Sequence, residues 1–81
     1  MDKIIFNDLN KIFQKYFNNS KIKLNQHTSA ESIKGWDSLA QVGLILMIER
    51  KFKTRFSVKE VEVLQNVGQM VSLIKKKLKK K

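Results

Sequence analysis

Asp37 and Ser38 stand side by side, three residues before the most apolar run of the chain, residues 42–48. Aspartate is a favoured residue at the N-cap of a helix, and its charge suits the positive end of the helix dipole. Ser38 would then lie in the first turn, where backbone N–H groups lack partners and an anion is stabilised. Gly35 adds backbone freedom just before the cap. The pattern predicts a helix N-terminus whose serine hydroxyl could carry a phosphate ester.

The chain offers no group that could activate this hydroxyl. The only histidine, His27, lies eleven residues earlier in a polar segment, and a nucleophilic serine needs an adjacent base. The chain has no cysteine, which excludes disulfides, thiolate metal sites and a cysteine nucleophile. A single histidine also excludes a multi-histidine metal site. Ser38 is therefore interpreted as the substrate of another enzyme, and the chain is expected not to be an enzyme.

Length and charge predict one small basic domain over residues 1–81. The net charge is +10, and the six lysines in residues 75–81 account for more than half of it. Residues 74–81 are expected to be a solvated, fraying end. No apolar run is long enough to span a bilayer, and the first residues do not have the pattern of a signal peptide. We therefore expect no transmembrane segment and a cytoplasmic protein.

The spacing of apolar residues predicts an all-α fold. Helical periodicity runs over residues 4–17 and 39–52, and a third, short helix is expected to open at Ser57 and continue through Leu64. A last helix is expected from Asn66. The sequence thus predicts a four-helix bundle with a long first loop, residues 18–37, and a short third helix.

Local capping patterns mark where the helices should begin. A capping box pairs an N-cap side chain with Glu or Gln three residues later. Such signals, or a single capping residue, occur at Asp2, at Thr28 with Glu31, at Ser57 with Glu60, and at Asn66 with Gln69. In the third helix, Val58, Val61 and Leu64 are expected to point inward.

The second helix carries more apolar surface than one buried face requires. The expected buried face consists of Gln41, Leu44, Ile45, Ile48 and Phe52. A second apolar arc remains, and it must either be buried as well or face a partner. This second arc consists of Leu39, Val42, Leu46 and Met47.

With these features the chain resembles the acyl carrier proteins, together with peptidyl carriers and other stand-alone carriers. The resemblance covers roughly residues 4–78, including the long loop and the short third helix. In that family an Asp-Ser-Leu sequence opens the second helix, usually after a glycine or small residue, and an apolar run ending in an acidic pair and a phenylalanine follows. The matching residues here are Gly35, Asp37, Ser38, Leu39, residues 42–48, Glu49 and Phe52.

The resemblance implies that Ser38 receives 4′-phosphopantetheine from coenzyme A. A magnesium-using phosphopantetheinyl transferase would install this group, and Asp37 matches the family aspartate that supports the modification. The thiol of the arm would hold acyl or aminoacyl groups as thioesters for enzymes that load and transfer them. Partner enzymes are expected to contact the second arc, and the carrier is expected to act as a monomer. The second arc consists of Leu39, Val42, Leu46 and Met47.

Fatty-acid, polyketide, peptide and cell-surface polysaccharide systems all use such carriers.

The charge of the second helix departs from the family pattern. Family members are typically acidic near the serine, whereas this chain has Ala40 and Gly43 at two such positions and Arg50 beside Glu49. The formal charge of residues 36–52 is zero, so the usual electrostatic steering of partners would be weak or redirected.

Two alternatives to a thioester carrier remain. One is a small basic helical module that binds nucleic acid, which would need cations clustered on one helix face. The basic residues lie instead in the C-terminal segment and around Lys53, Arg55 and Lys59, so specific nucleic-acid binding is not expected. The other is a carrier-like protein that is never modified and acts only by docking.

Trp36 is expected to pack at the end of the loop, and His27 is expected to lie on the surface of the loop.

Overall fold

The computed structural model describes residues 2–79, with side chains from Lys3 onward, and contains four helices in that range. The helices are α1 (Asp2–Tyr16), α2 (Ser38–Phe52), α3 (Val58–Glu62) and α4 (Val67–Lys79). The predicted all-α, four-helix fold with a long first loop and a short third helix is confirmed. None of the helices between residues 2 and 79 has the length and hydropathy needed to cross a bilayer.

The apolar periodicity of α1, α2 and α4 produces one shared core. Each of these helices turns residues spaced three or four apart toward the other two, and Ile22 of the long loop adds to the same cluster. Ala40 is buried beside this core as well. The fully buried members are Ile5, Leu9, Phe13, Leu44, Ile48, Val67, Met70 and Ile74.

Helices α1 and α2 run antiparallel. The ring of Tyr16, at the end of α1, lies against Gly43 near the middle of α2, while the earlier residue Ile12 borders a groove with the later residue Met47. A side chain at position 43 would overlap the Tyr16 ring, so the glycine permits this close approach. The N-terminus of α1 therefore lies at the same end of the bundle as the C-terminus of α2.

The long loop, residues 17–37, is fastened to α1 by side chains of that helix. The Asn10 Oδ1 atom accepts the Leu24 N–H at 2.8 Å, and the Gln14 side chain donates to the Ile22 carbonyl at 2.8 Å. Leu24 and Ile33 pack against the core beside the buried Ile22, so three apolar side chains anchor the loop. These bonds explain how a segment without regular structure keeps one path.

The loop also covers the start of α4. The N–H groups of Val67 and Gly68, which have no partner within α4, donate to the Thr28 and Gln26 carbonyls at 2.8 and 2.9 Å. The Asn66 side chain accepts the Gln69 N–H, which confirms the predicted helix start. The loop and the cap together satisfy the first turn of α4.

Two details of the sequence prediction are wrong. Thr28 does not open a capping box with Glu31, because its hydroxyl accepts the Asn25 N–H at 2.9 Å within a tighter turn of the loop. Val58 does not point inward, since its side chain is 74% exposed at the first position of α3, where no neighbouring helix covers it. The Ser57–Glu60 capping box itself is present, and Val61 and Leu64 pack against the core as predicted.

The C-terminal segment expected to fray begins at Ile74. Residues 74–79 form the last turns of α4, with Ile74 fully buried and Leu78 packed against the core. Lys80 and Lys81 lie outside the described residues. Fraying of this end stays a prediction.

Candidate functional site

Asp37 and Ser38 form the start of α2. Asp37 has an extended backbone and is the N-cap, and its carboxylate accepts the Ala40 N–H at 2.8 Å. Ser38 is the first helical residue, and its side chain is exposed. Among the described residues, nothing accepts the backbone N–H groups of Ser38 and Leu39. The hydroxyl therefore stands in solvent beside two free donors at the positive end of a 15-residue helix.

The residues before the cap hold it in place. Gly35 has a φ of +91°, a left-handed conformation that side chains rarely adopt, and a Cβ there would lie 3.8 Å from the Phe17 ring. Trp36 packs edge-on against Phe13, with ring centroids 5.0 Å apart. Its indole N–H donates to the Gln41 Oε1 atom at 2.7 Å. The expectation that Trp36 packs at the loop end is confirmed, and this bond ties the loop to the first turn of α2.

An open groove of about 420 Å³ runs from Ser38 between α2, α3 and the start of α4. Its apolar lining comes from separate elements: Val42 from α2, Val61 from α3, Leu64 from the following turn and Met70 from α4. Glu62 and Gln65 border it as polar groups. The sequence analysis missed Val61, Leu64 and Met70 as site residues, because each was assigned only to the core of its own helix.

The second apolar arc of α2 is divided by the structure. Leu39, Val42 and Leu46 are 79%, 58% and 53% exposed, which is unusual for large aliphatic side chains that follow one helix face. Met47 is half-buried and packs against the core, and it borders a groove with α1 instead. Its position lies about 100° around the helix from Leu46, which explains the different surroundings. Leu39, Val42 and Leu46 are called the α2 strip below.

The other residues singled out from the sequence either contribute to the packing and turns of the fold or lie away from the groove beside Ser38. Ala40 is buried and Gly43 lies under Tyr16, so neither position is a free surface on which a carboxylate could attract partners. The Glu49 carboxylate accepts the Phe56 N–H at 2.8 Å and thereby fixes the turn after α2. His27 is exposed in the loop and does not border the groove beside Ser38. Within residues 2–79, no group of three or more His, Cys, Asp or Glu side chains could hold a metal ion.

The comparison with solved structures finds an acyl carrier protein. The solution NMR structure of the holo acyl carrier protein from Geobacter metallireducens is 37% identical in sequence and superposes with a TM-score of 0.87. The similarity covers 93% of this chain and 86% of that one. No family model matches the sequence, and no curated protein matches it.

Proposed function

This chain belongs to the acyl carrier protein family, and we propose that it holds acyl or aminoacyl intermediates as thioesters on a 4′-phosphopantetheine arm joined to Ser38. The observation that carries the proposal is the place of the Ser38 hydroxyl, exposed at the first turn of α2 and at the mouth of the apolar groove. A transferase can reach an exposed hydroxyl at a helix start without unfolding the bundle.

The residues around Ser38 fit a phosphate ester and a flexible arm. The free N–H groups of Ser38 and Leu39 lie where a phosphate on the serine oxygen would need donors. Val42, Val61 and Met70 offer an apolar wall beside the attachment point. When bound, the arm would supply the thiol that forms thioesters, which the chain cannot supply because it has no cysteine. The chain's own part is to present the arm and shelter its cargo.

Asp37 is proposed to support the modification by a magnesium-using phosphopantetheinyl transferase. Its carboxylate holds the Ala40 N–H and so sets the direction in which α2 begins. The same group places a negative charge one residue from the Ser38 hydroxyl. Both effects would orient the hydroxyl toward an enzyme that carries a metal ion and coenzyme A.

The α2 strip is proposed as the contact surface for loading and transferring enzymes. Leu39, Val42 and Leu46 project from the helix that begins at Ser38, so a partner bound there would have the arm within reach. Exposed aliphatic side chains of this kind gain free energy when a partner removes them from water. Met47 was predicted to belong to this surface, and it would border a partner only on the α1 side.

The carrier is proposed to act as a monomer in the cytoplasm and to catalyse no reaction itself. The reaction partners would act on the thioester, while this chain moves between them.

The test is intact mass spectrometry after incubation with coenzyme A, magnesium and a broad-specificity phosphopantetheinyl transferase. The expected result is a gain of one arm on the natural chain and none on Ser38→Ala. Ser72→Ala is a matched control, since Ser72 is also an exposed helical serine but lies away from a helix start, and this variant should gain the arm. If no member of a panel of such transferases modified the natural chain, the carrier function would be rejected in favour of an unmodified docking protein.

A further inference from the structure

The bundle has two chemically different ends. Ser38 opens α2, and Asn66 directly precedes α4. Both residues border the same groove, so the two helices start at one end of the bundle and run away from it. The Glu60–Lys77 ion pair, 2.8 Å long, places the start of α3 beside the last turns of α4. Because α1 is antiparallel to α2, its first residues lie at that second end as well. We call this second end, formed by residues 3–4, 50–60 and 75–79, the distal end.

Exposed cations accumulate at the distal end. Eight lysine and arginine side chains are exposed there, and none of them forms an ion pair among the described residues. The described carboxylates nearby offset only part of this charge, since Glu60 pairs with Lys77, while Glu49 keeps one negative charge although it accepts the Phe56 N–H. Asp8 borders a groove with Arg50. The exposed cations are Lys3, Arg50, Lys51, Lys53, Arg55, Lys59, Lys76 and Lys79.

Aliphatic side chains are exposed among these cations. Ile4 is 64% exposed at the start of α1, and Val58 is exposed at the start of α3. The aromatic residues of this end, Phe52 and Phe56, are half-buried against the core and so offer less open surface than fully exposed rings would. Sequence-independent binding of single-stranded nucleic acid uses such rings, and protein interfaces are built around a dense apolar centre. Cations with a few aliphatic side chains suit a lipid headgroup region instead.

We propose that the distal end binds the surface of an anionic lipid membrane and that the Ser38 end then faces away from it. Lysine and arginine side chains are attracted to a negatively charged leaflet, and the attraction falls off within a Debye length. That length is about 10 Å at 0.1 M salt, whereas α2 alone separates the two ends by about 22 Å. Ser38 would thus remain accessible to enzymes while the carrier is held at the surface. This inference goes beyond the carrier function and does not require the arm.

The test is co-sedimentation of the unmodified full chain with vesicles. Vesicles with one third phosphatidylglycerol in phosphatidylcholine should bind the chain, and vesicles of phosphatidylcholine alone should not. Raising the salt from about 0.1 M to about 1 M should release the bound chain, because the Debye length falls to about 3 Å. Failure to bind the anionic vesicles at 0.1 M salt overturns the proposal without affecting the mass test of Ser38.

Two double variants that lose the same charge test whether binding depends on the distal end or only on the net charge of the chain. Arg50→Gln/Lys53→Gln should weaken binding about 25-fold, since each basic residue near an anionic leaflet contributes about five-fold. Lys21→Gln/Lys23→Gln removes the same charge from exposed positions of the loop, and it should weaken binding far less. Equal losses in the two variants would mean that only net charge matters and would overturn the assigned surface.

The orientation can be read from tryptophan fluorescence, because Trp36 is the only tryptophan and lies at the Ser38 end. Brominated lipids in the anionic vesicles should leave Trp36 unquenched. In Val58→Trp, which places a ring at an exposed position of the distal end, they should quench the added signal. Quenching of Trp36 in the natural chain would reverse the orientation and overturn the proposal. Binding to single-stranded RNA but not to anionic vesicles would reject the lipid assignment for nucleic acid.

Discussion

The N–H of Gly68 donates to the Gln26 carbonyl at 2.9 Å, and this bond joins the long loop to the first turn of α4. The two segments come so close that a Cβ on Gly68 would lie 2.8 Å from the same carbonyl oxygen. Because that oxygen belongs to the backbone, the clash cannot be relieved by rotating a side chain. The loop reaches its position only because residue 68 has no side chain.

We therefore expect Gly68→Ala to lower the free energy of unfolding by about 1–3 kcal/mol, as overpacking does. Alanine would otherwise favour the helix by about 1 kcal/mol over glycine, so helix propensity alone predicts the opposite sign. Urea denaturation followed by circular dichroism measures the difference. Ser72→Ala, at an exposed position of the same helix, is the control and should change stability little. A stabilised Gly68→Ala would mean that the loop does not dock as described.

Asp37 can be tested for its two roles separately. Asp37→Ala should lower the free energy of unfolding by about 1 kcal/mol, because the Ala40 N–H loses its cap. Asp37→Asn should keep most of that stability, since asparagine caps as well as aspartate does. Both variants should slow transfer of the arm to Ser38 if the negative charge supports the reaction. A normal transfer rate in Asp37→Asn would limit the residue to capping.

The ion pair between Glu60 and Lys77 predicts a dependence of stability on pH. The Lys77 ammonium, together with the Ser57 N–H, lowers the pKa of Glu60 from 4.5 to about 2. A carboxyl whose pKa is lower in the folded state than in the unfolded state stabilises the fold at pH values above its unfolded-state pKa. That contribution is lost as the pH falls from about 4.5 toward 2. In urea denaturation, Glu60→Gln should be less stable than the natural chain at pH 7, and the difference should shrink across this window.

Glu62→Gln is the matched control for this measurement. Glu62 lies on the same short helix, is exposed, and forms no ion pair among the described residues. The difference in unfolding free energy between Glu62→Gln and the natural chain should stay nearly the same over that pH range. A Glu60→Gln difference that did not vary between pH 5 and 2 would contradict the assigned pKa.

Tyr16 and Gly43 should be energetically coupled. In a Tyr16→Ala background, Gly43→Ala should stabilise the protein by about 0.5–1 kcal/mol, because alanine suits a helix interior better than glycine. With Tyr16 present, the new methyl group would overlap the ring, and the gain should be lost or reversed. A double-mutant cycle of unfolding free energies measures this coupling. Additive effects would show that the ring can move aside without cost.

The sequence alone determined the features that depend on neighbours within one helical turn. Asp37, Ser57 and Asn66 each bond a backbone N–H three residues later, and such contacts form wherever the local sequence allows them. The same holds for the apolar periodicity of α1, α2 and α4, which predicted the helices and most of the core. The exposed place of Ser38 at the start of α2 followed from these local rules.

Tertiary structure decided how distant segments meet. The groove beside Ser38 joins Val42, Val61 and Met70, which lie on three different helices, and no local pattern reveals that they share a wall. Met47 and Leu46 are adjacent in an apolar run, yet only the packing of α1 against α2 makes one half-buried and leaves the other exposed. The clustering of cations at the distal end likewise depends on the directions of the helices. These outcomes depend on close packing between segments far apart in the chain, which the spacing of residues along a single helix does not specify.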